Sequence, residues 1–167
     1  MTQEDKELLL KDLAARLPYE VKGIVYAETT NGKHYMDGEM IYFDTPFDTI
    51  LDTINTTTEE IHVVAIGNED TVDFIEDQQN YGEPYSVCEF KPYLRPISSM
   101  TKEERMVLLK YGSVGMDEND KVFDVYPYGI ERNMAVVDFL NEHHFDYRGL
   151  IEKGLALEAP EGMYKFE

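Results

Sequence analysis

The sequence predicts an α+β fold: a small, mainly antiparallel sheet (a meander) covered by an N-terminal helix and C-terminal helices. Three observations carry this reading. Apolar residues at helical spacing open the chain. Runs of β-branched and aromatic residues follow, punctuated by Asn31-Gly32 and Asp37-Gly38, dipeptides that accept the positive φ of tight hairpin turns. Helical patterns with capping signals return from Thr101 onward.

Taken in order, the first helix has Thr2 as its cap, with Glu4 and Asp5 where acids suit the helix dipole. Leu10, Leu13, Ala14 and Leu17 form its apolar stripe, and Pro18 stops it. Val21 to Glu28, the short piece Lys33–Met36, and Glu39 to Asp44 read as the strands of the meander. Thr45-Pro46 predicts the start of a short helix, with Phe47, Ile50, Leu51 and Ile54 on one face. Ile61–Ile66 reads as a central strand. Asn68 to Asn80 reads as a helix with Val72 and Ile75 inward, against a rival strand at 71–75. Tyr85 to Tyr93 reads as extended, bracketed by Pro92 and Pro96.

Thr101-Lys-Glu-Glu104 is a capping-box sequence opening a helix with Met106, Val107 and Leu109, ended by Gly112 and Gly115. Met116–Lys121 reads as a polar loop and Val122–Tyr128 as a strand. Glu131 to His143 reads as a helix whose apolar side is Met134, Val137, Phe139 and Leu140. Asp146 is placed to cap a short final helix that runs to Lys153 and closes at Gly154.

The 167 residues contain no internal repeat or linker, which predicts a single domain over 1–167. One cysteine, Cys88, permits no intramolecular disulfide. The acidic start MTQEDKELLL is unlike a signal peptide, and no stretch approaches the ~20 apolar residues of a membrane span. A cytoplasmic location without membrane contact is therefore expected. The net charge is −19. Residues 23–90 hold fifteen acids against Lys33 alone, a balance of −14, whereas residues 101–167 carry −6. Such a charge argues against direct binding to nucleic acid and favours a basic partner.

Of the motifs that carry chemistry, most fail on spacing. Counted from Asp117, the loop Asp117-Glu-Asn-Asp-Lys121 puts Val122 and Tyr128 where an EF-hand needs Gly and Glu. Neither phosphate-binding glycine loop nor nucleophile elbow occurs, so no cofactor is indicated. Cys88, in Val87-Cys-Glu-Phe, reads as a small core hydrophobe. The final helix pair matches a helix-turn-helix in outline, but Arg148 and Lys153 are its only bases. His143, His144 and Asp146 form the one histidine cluster. Adjacent histidines on a helix diverge, unlike the i, i+4 pair that shares a metal, so a structural role at a helix C-terminus is expected over metal binding. Asp70, Asp73, Glu76 and Asp77 fall along one side of the predicted 68–80 helix, and Glu59, Glu60, Glu83 and Glu89 extend that face. Carboxylates so arranged are either a solvated surface or an interaction face that imitates DNA phosphates.

Two stretches, Lys91-Pro-Tyr-Leu-Arg-Pro-Ile-Ser-Ser-Met-Thr-Lys-Glu-Glu104 and Phe139 to Tyr164 (with His-His-Phe-Asp-Tyr-Arg-Gly-Leu-Ile-Glu-Lys-Gly at its centre), carry a resemblance, together with Met1 to Pro18. They resemble a family of Bacteroidales proteins of uncharacterised activity found in prophages and other mobile elements. The resemblance covers about a third of the chain and implies a mobile-element context; it brings no activity, cofactor or catalytic residue. It also implies a division of labour, with the ends as a common frame and residues 23–90 as an acidic, variable middle. The function expected is a non-enzymatic protein-interaction module, in its sharpest form a DNA-mimicking inhibitor of a host DNA-binding protein. The alternatives are an enzyme built around His143, His144, Asp146 or the acidic patches, and a phage assembly or structural factor that self-associates.

Overall fold

The computed structural model describes residues 1–26, 33–36, 39–42, 47–66, 72, 85–119, 121–127 and 130–164, and its architecture is α+β. The chain divides into two compact units, Met1–Tyr93 and Leu94–Glu167.

The first unit opens with α1 (Gln3–Arg16). Thr2 Oγ1 accepts from the Asp5 N–H at 3.1 Å, and the Asp5 carboxylate accepts from the Thr2 N–H at 3.3 Å, a reciprocal capping box. The helix ends before the 3-10 turn Leu17–Tyr19, which contains Pro18. Its buried face is Leu9, Leu10 and Leu13 with Asp12 and Arg16, whereas Ala14 is exposed and Leu17 half-buried. The face is displaced from the predicted stripe because Arg16 donates to Asp12 through Nε at 2.7 Å and Nη2 at 3.1 Å, with neither side chain exposed. A bidentate ion pair thus occupies a place that hydropathy alone assigns to solvent.

The strands of this unit are β1 (Lys22–Val25), β2 (Lys33–Met36), β3 (Glu39–Tyr42), β4 (Phe47–Asn55), β5 (Glu60–Ala65), β6 (Tyr85–Ser86) and β7 (Phe90–Leu94). Five of them form a sheet in the order β7-β1-β4-β5-β6, every neighbouring pair antiparallel. Among the described residues β2 and β3 pair with each other in a separate two-stranded sheet, and β1 takes β4 as its partner. Asn31-Gly32 and Asp37-Gly38 lie outside the described residues.

The predicted helix after Pro46 is a strand. β4 buries Phe47, Thr49 and Leu51 and exposes Asp48 and Asp52, a period of two. The spacing i, i+3, i+4, i+7 suits a helix and splits between the two faces of a strand, but the β-branched Thr49, Ile50, Thr53 and Ile54 favour the sheet. β5 lies between β4 and β6, inside the sheet as expected, and is half-buried: Ile61 and Val63 point inward and His62 and Val64 to solvent. The extended run predicted from Tyr85 is interrupted by a 3-10 turn, Val87–Glu89, with its own capping box between Ser86 and Glu89. Cys88 sits on that turn and is exposed, which corrects its reading as a core residue. Val87 takes the buried place instead, and the Cys88 Sγ lies 3.7 Å from Met1 Sδ.

One glycine in the sheet is there for space. Gly23 stands between Thr49 and Pro92, and a Cβ on it would come within 2.4 Å of the Phe90 ring and 2.6 Å of the Lys91 carbonyl oxygen. Phe90 is fully buried, so the ring has packed into the place of the missing side chain.

The second unit contains α2 (Lys102–Leu108), β8 (Gly112–Met116), β9 (Val122–Pro127), α3 (Ile130–Glu142) and the short β10 (Leu157–Glu158). Its core is Met100, Leu108, Val136, Phe139, Leu140 and Phe145. α2 turns Glu104 and Leu108 inward and leaves Met106 and Leu109 exposed, because its orientation follows the buried Glu104 rather than the hydrophobic count. Met134 of α3 is likewise exposed. β8 is an unpredicted strand: Gly112 and Gly115, read as breakers, lie in an antiparallel ladder with β9 that shifts register between Gly115 and Met116. The acidic loop between them is a hairpin turn, in which Asp117 Oδ1 accepts from the N–H groups of Asn119 and Lys121 at 2.8 and 2.9 Å. Among the described residues no helix is long and apolar enough to cross a membrane.

Candidate functional site

The histidine cluster follows from how α3 ends. The His144 N–H donates to the Asn141 carbonyl at 3.0 Å and the Phe145 N–H to the Leu140 carbonyl at 2.9 Å. With His144 at φ 57°, this is a Schellman cap with His144 in the left-handed position usually held by Gly. Phe145 and Leu140, the residues that such a cap brings together, both belong to the core of the unit. The cap aims the two imidazoles apart. His143 Nδ1 is 2.9 Å from the Phe139 carbonyl oxygen, and its ring stacks on Phe139 at 4.1 Å. His144 is buried and stacks on Tyr164 at 3.8 Å.

Asp146 is committed elsewhere. Its Oδ1 accepts from the Leu150 N–H and its Oδ2 from the Ile151 N–H, both at 2.8 Å. The predicted final helix is reduced to a single turn. Asp146 holds its start and Gly154, at φ 70°, closes its end, with the Leu155 N–H donating to the Leu150 carbonyl at 2.9 Å. Without that helix the helix-turn-helix outline is lost. The structure therefore brings His143, His144 and Asp146 together in the chain but gives each side chain its own partner. Among the described residues no group of three or more His, Cys, Asp or Glu is arranged to hold a metal ion.

Beside this corner lies a polar network around Arg95 and Glu104. Arg95 donates to both oxygens of Glu104, at 2.6 and 2.9 Å, and its guanidinium lies over the Phe145 ring at 4.3 Å. The Thr101 N–H donates to Glu104 Oε2 at 2.7 Å, and Thr101 Oγ1 accepts from the Glu104 N–H at 3.2 Å, completing the predicted capping box. Burial works against the Glu104 charge. The Arg95 guanidinium and the Thr101 amide nevertheless hold its carboxyl below the usual carboxylate value. The Arg95 N–H and carbonyl also bond to the His144 carbonyl and the Asp146 N–H, at 2.8 and 2.7 Å. Residues 95, 104 and 144–146 thus form one structural knot. The Lys91–Glu104 and Phe139–Tyr164 stretches of the resemblance supply its parts.

Of the acidic candidates, Asp70, Asp73, Glu76, Asp77 and Glu83 lie outside the described residues. Three others are engaged locally. Glu59 pairs with Lys6, Glu60 accepts from the Thr58 hydroxyl, and Glu89 accepts the Ser86 N–H at 2.7 Å. Within 23–90, the described strands expose two further acids, Asp48 and Asp52 of β4, in the segment 47–54 expected to be a helix. They share their face with Ile50 and, from β5 and just beyond it, Val64 and Ile66. Hydropathy does not reveal this face, since polar Thr49 points inward and apolar Ile50 outward; the signal present is the β-branched content of the run, Thr49, Ile50, Thr53 and Ile54.

No family model, curated protein or solved structure matches the chain.

Proposed function

We propose that the chain is a non-enzymatic protein-interaction module that takes a basic partner, in the setting of a mobile element. The observation that carries this reading is the distribution of charge. The −14 of residues 23–90 falls on a segment with no Lys or Arg between Lys33 and Lys91, and β4 within it presents Asp48 and Asp52 to solvent. A surface field of one sign steers and selects partners of the other. The same field disfavours nucleic acid as a direct partner. The narrowest form of the proposal is a DNA mimic that inhibits a host DNA-binding protein by presenting carboxylates to a groove built for phosphates.

The test is capture of host lysate on immobilised, tag-free protein, washed at rising salt. A DNA-binding protein held at moderate salt and released at high salt supports the proposal, because contacts between exposed charges are screened. Capture of no basic protein removes it.

A further inference from the structure

We infer that the outer face of β4 and β5 is the docking surface for a basic, amphipathic segment of another protein, an inference that rests on the interaction-module reading above. The alternation of the two strands sends Phe47, Thr49, Leu51, Ile61 and Val63 inward and leaves the opposite face to solvent. A row of apolar side chains lies there. Ile50 stands directly opposite Val64 in the ladder, and the Ile66 N–H bonds to the Asp48 carbonyl at 2.8 Å, which places Ile66 beside Asp48. Val64 is 52% exposed and Ile66 45%, while Ile50 is half-buried. Single exposed apolar residues are ordinary, but neighbours on hydrogen-bonded strands form a continuous strip that water solvates poorly.

The charges around the strip determine its occupant. β4 carries Asp48 and Asp52, and β5 carries Glu60; neither strand carries Lys or Arg. On the β1 and β7 side the face is bounded by the chain's own cations, half-buried Lys22, opposite Ile50, and Lys91, in one cross-strand row with Ile24 and Asp48, and by the Tyr93 hydroxyl, 3.4 Å from Asp48 Oδ1, so the acids left for a partner are those on the β4 and β5 side. A segment with an apolar row flanked by Lys or Arg would cover Ile50, Val64 and Ile66 and set its cations against Asp48 and Asp52. A second copy of this chain fits less well, because two bodies of charge −19 repel.

The probe is a synthetic peptide alternating Leu and Lys, compared at physiological salt with a Gly and Lys peptide of equal charge. Binding to the full chain is followed by fluorescence anisotropy. The Leu and Lys peptide is expected to bind about tenfold more tightly than the Gly and Lys peptide, since only it has apolar groups to bury. The double variant V64T/I66T keeps the β-branched shape on a solvent face. It is expected to abolish that advantage with no change in thermal midpoint. D48N/D52N is expected to weaken binding several-fold and to flatten its salt dependence. Equal binding of both peptides, or V64T/I66T binding like the parent chain, overturns the inference. So does concentration-dependent self-association that V64T/I66T abolishes, since the occupant is then a second copy. If a basic protein is captured from lysate equally by the parent chain and V64T/I66T, the interaction-module reading stands and this face alone is lost.

Discussion

Glu104 has no exposed side-chain surface and still carries a charge, because Arg95 meets it with two nitrogens and Thr101 with its amide. Removing the charge leaves Arg95, only 13% exposed, without its counterion. E104Q should therefore lower unfolding stability by about 2–3 kcal/mol, measured by urea denaturation at neutral pH. The folded-state value of Glu104 lies below the ordinary 4.5, so its contribution is complete above that pH and is lost as pH falls through the lowered value. The stability gap between the parent chain and E104Q should accordingly narrow as pH falls below the ordinary value of 4.5. A second prediction at this scale concerns Gly23. A methyl there meets a backbone oxygen at 2.6 Å, which cannot turn aside as a side chain can. G23A should cost about 1–3 kcal/mol by the same measurement, the range of overpacking a core.

At the scale of elements, what was legible in the sequence depended on whether the signal was local. Thr2 and Thr101 cap their helices as the sequence indicates, because a cap is a bond between residues three apart. Gly154 closes its turn for a similar reason. The apolar faces of the helices were less legible. Asp12, Arg16 and Glu104 are buried through partners, which hydropathy cannot register, and each displaced the face assigned to its helix. β4 differs from the expected helix because its apolar residues keep helical spacing while its inward row includes polar Thr49, and β8 was not expected because glycines that read as stops sit in a bulged ladder. His143 and His144 stack on different partners, Phe139 and Tyr164, and the Schellman cap that holds them rests on the φ of His144, which no motif encodes. Asp146 gives a test of this corner. D146A removes acceptors for two N–H groups and should lower stability by about 1–2 kcal/mol. D146N, which keeps one acceptor oxygen, should cost about half as much.

At the scale of the whole molecule, α+β was readable from composition and periodicity. The resemblance implied common ends around a variable acidic middle. α1 and the described strands of that middle lie in one compact unit, Met1–Tyr93. Deleting residues 30–80 would remove β2 through β5 and with them the buried Phe47, Leu51, Ile61 and Val63. The remainder of the first unit should then fail to give a cooperative thermal transition in calorimetry. The charge belongs to this scale as well, since it is a property of a segment rather than of a motif. The central claim, that this charge serves to engage a basic protein, is tested most directly by competition. A DNA-binding protein captured from host lysate is held at equilibrium with labelled duplex DNA, and the acidic chain is titrated in at several salt concentrations. The account predicts that the chain displaces the DNA with a midpoint that weakens steeply as salt rises. Binding that leaves the DNA in place would exclude mimicry, and absence of binding at low salt would contradict the claim that the charge serves a partner at all.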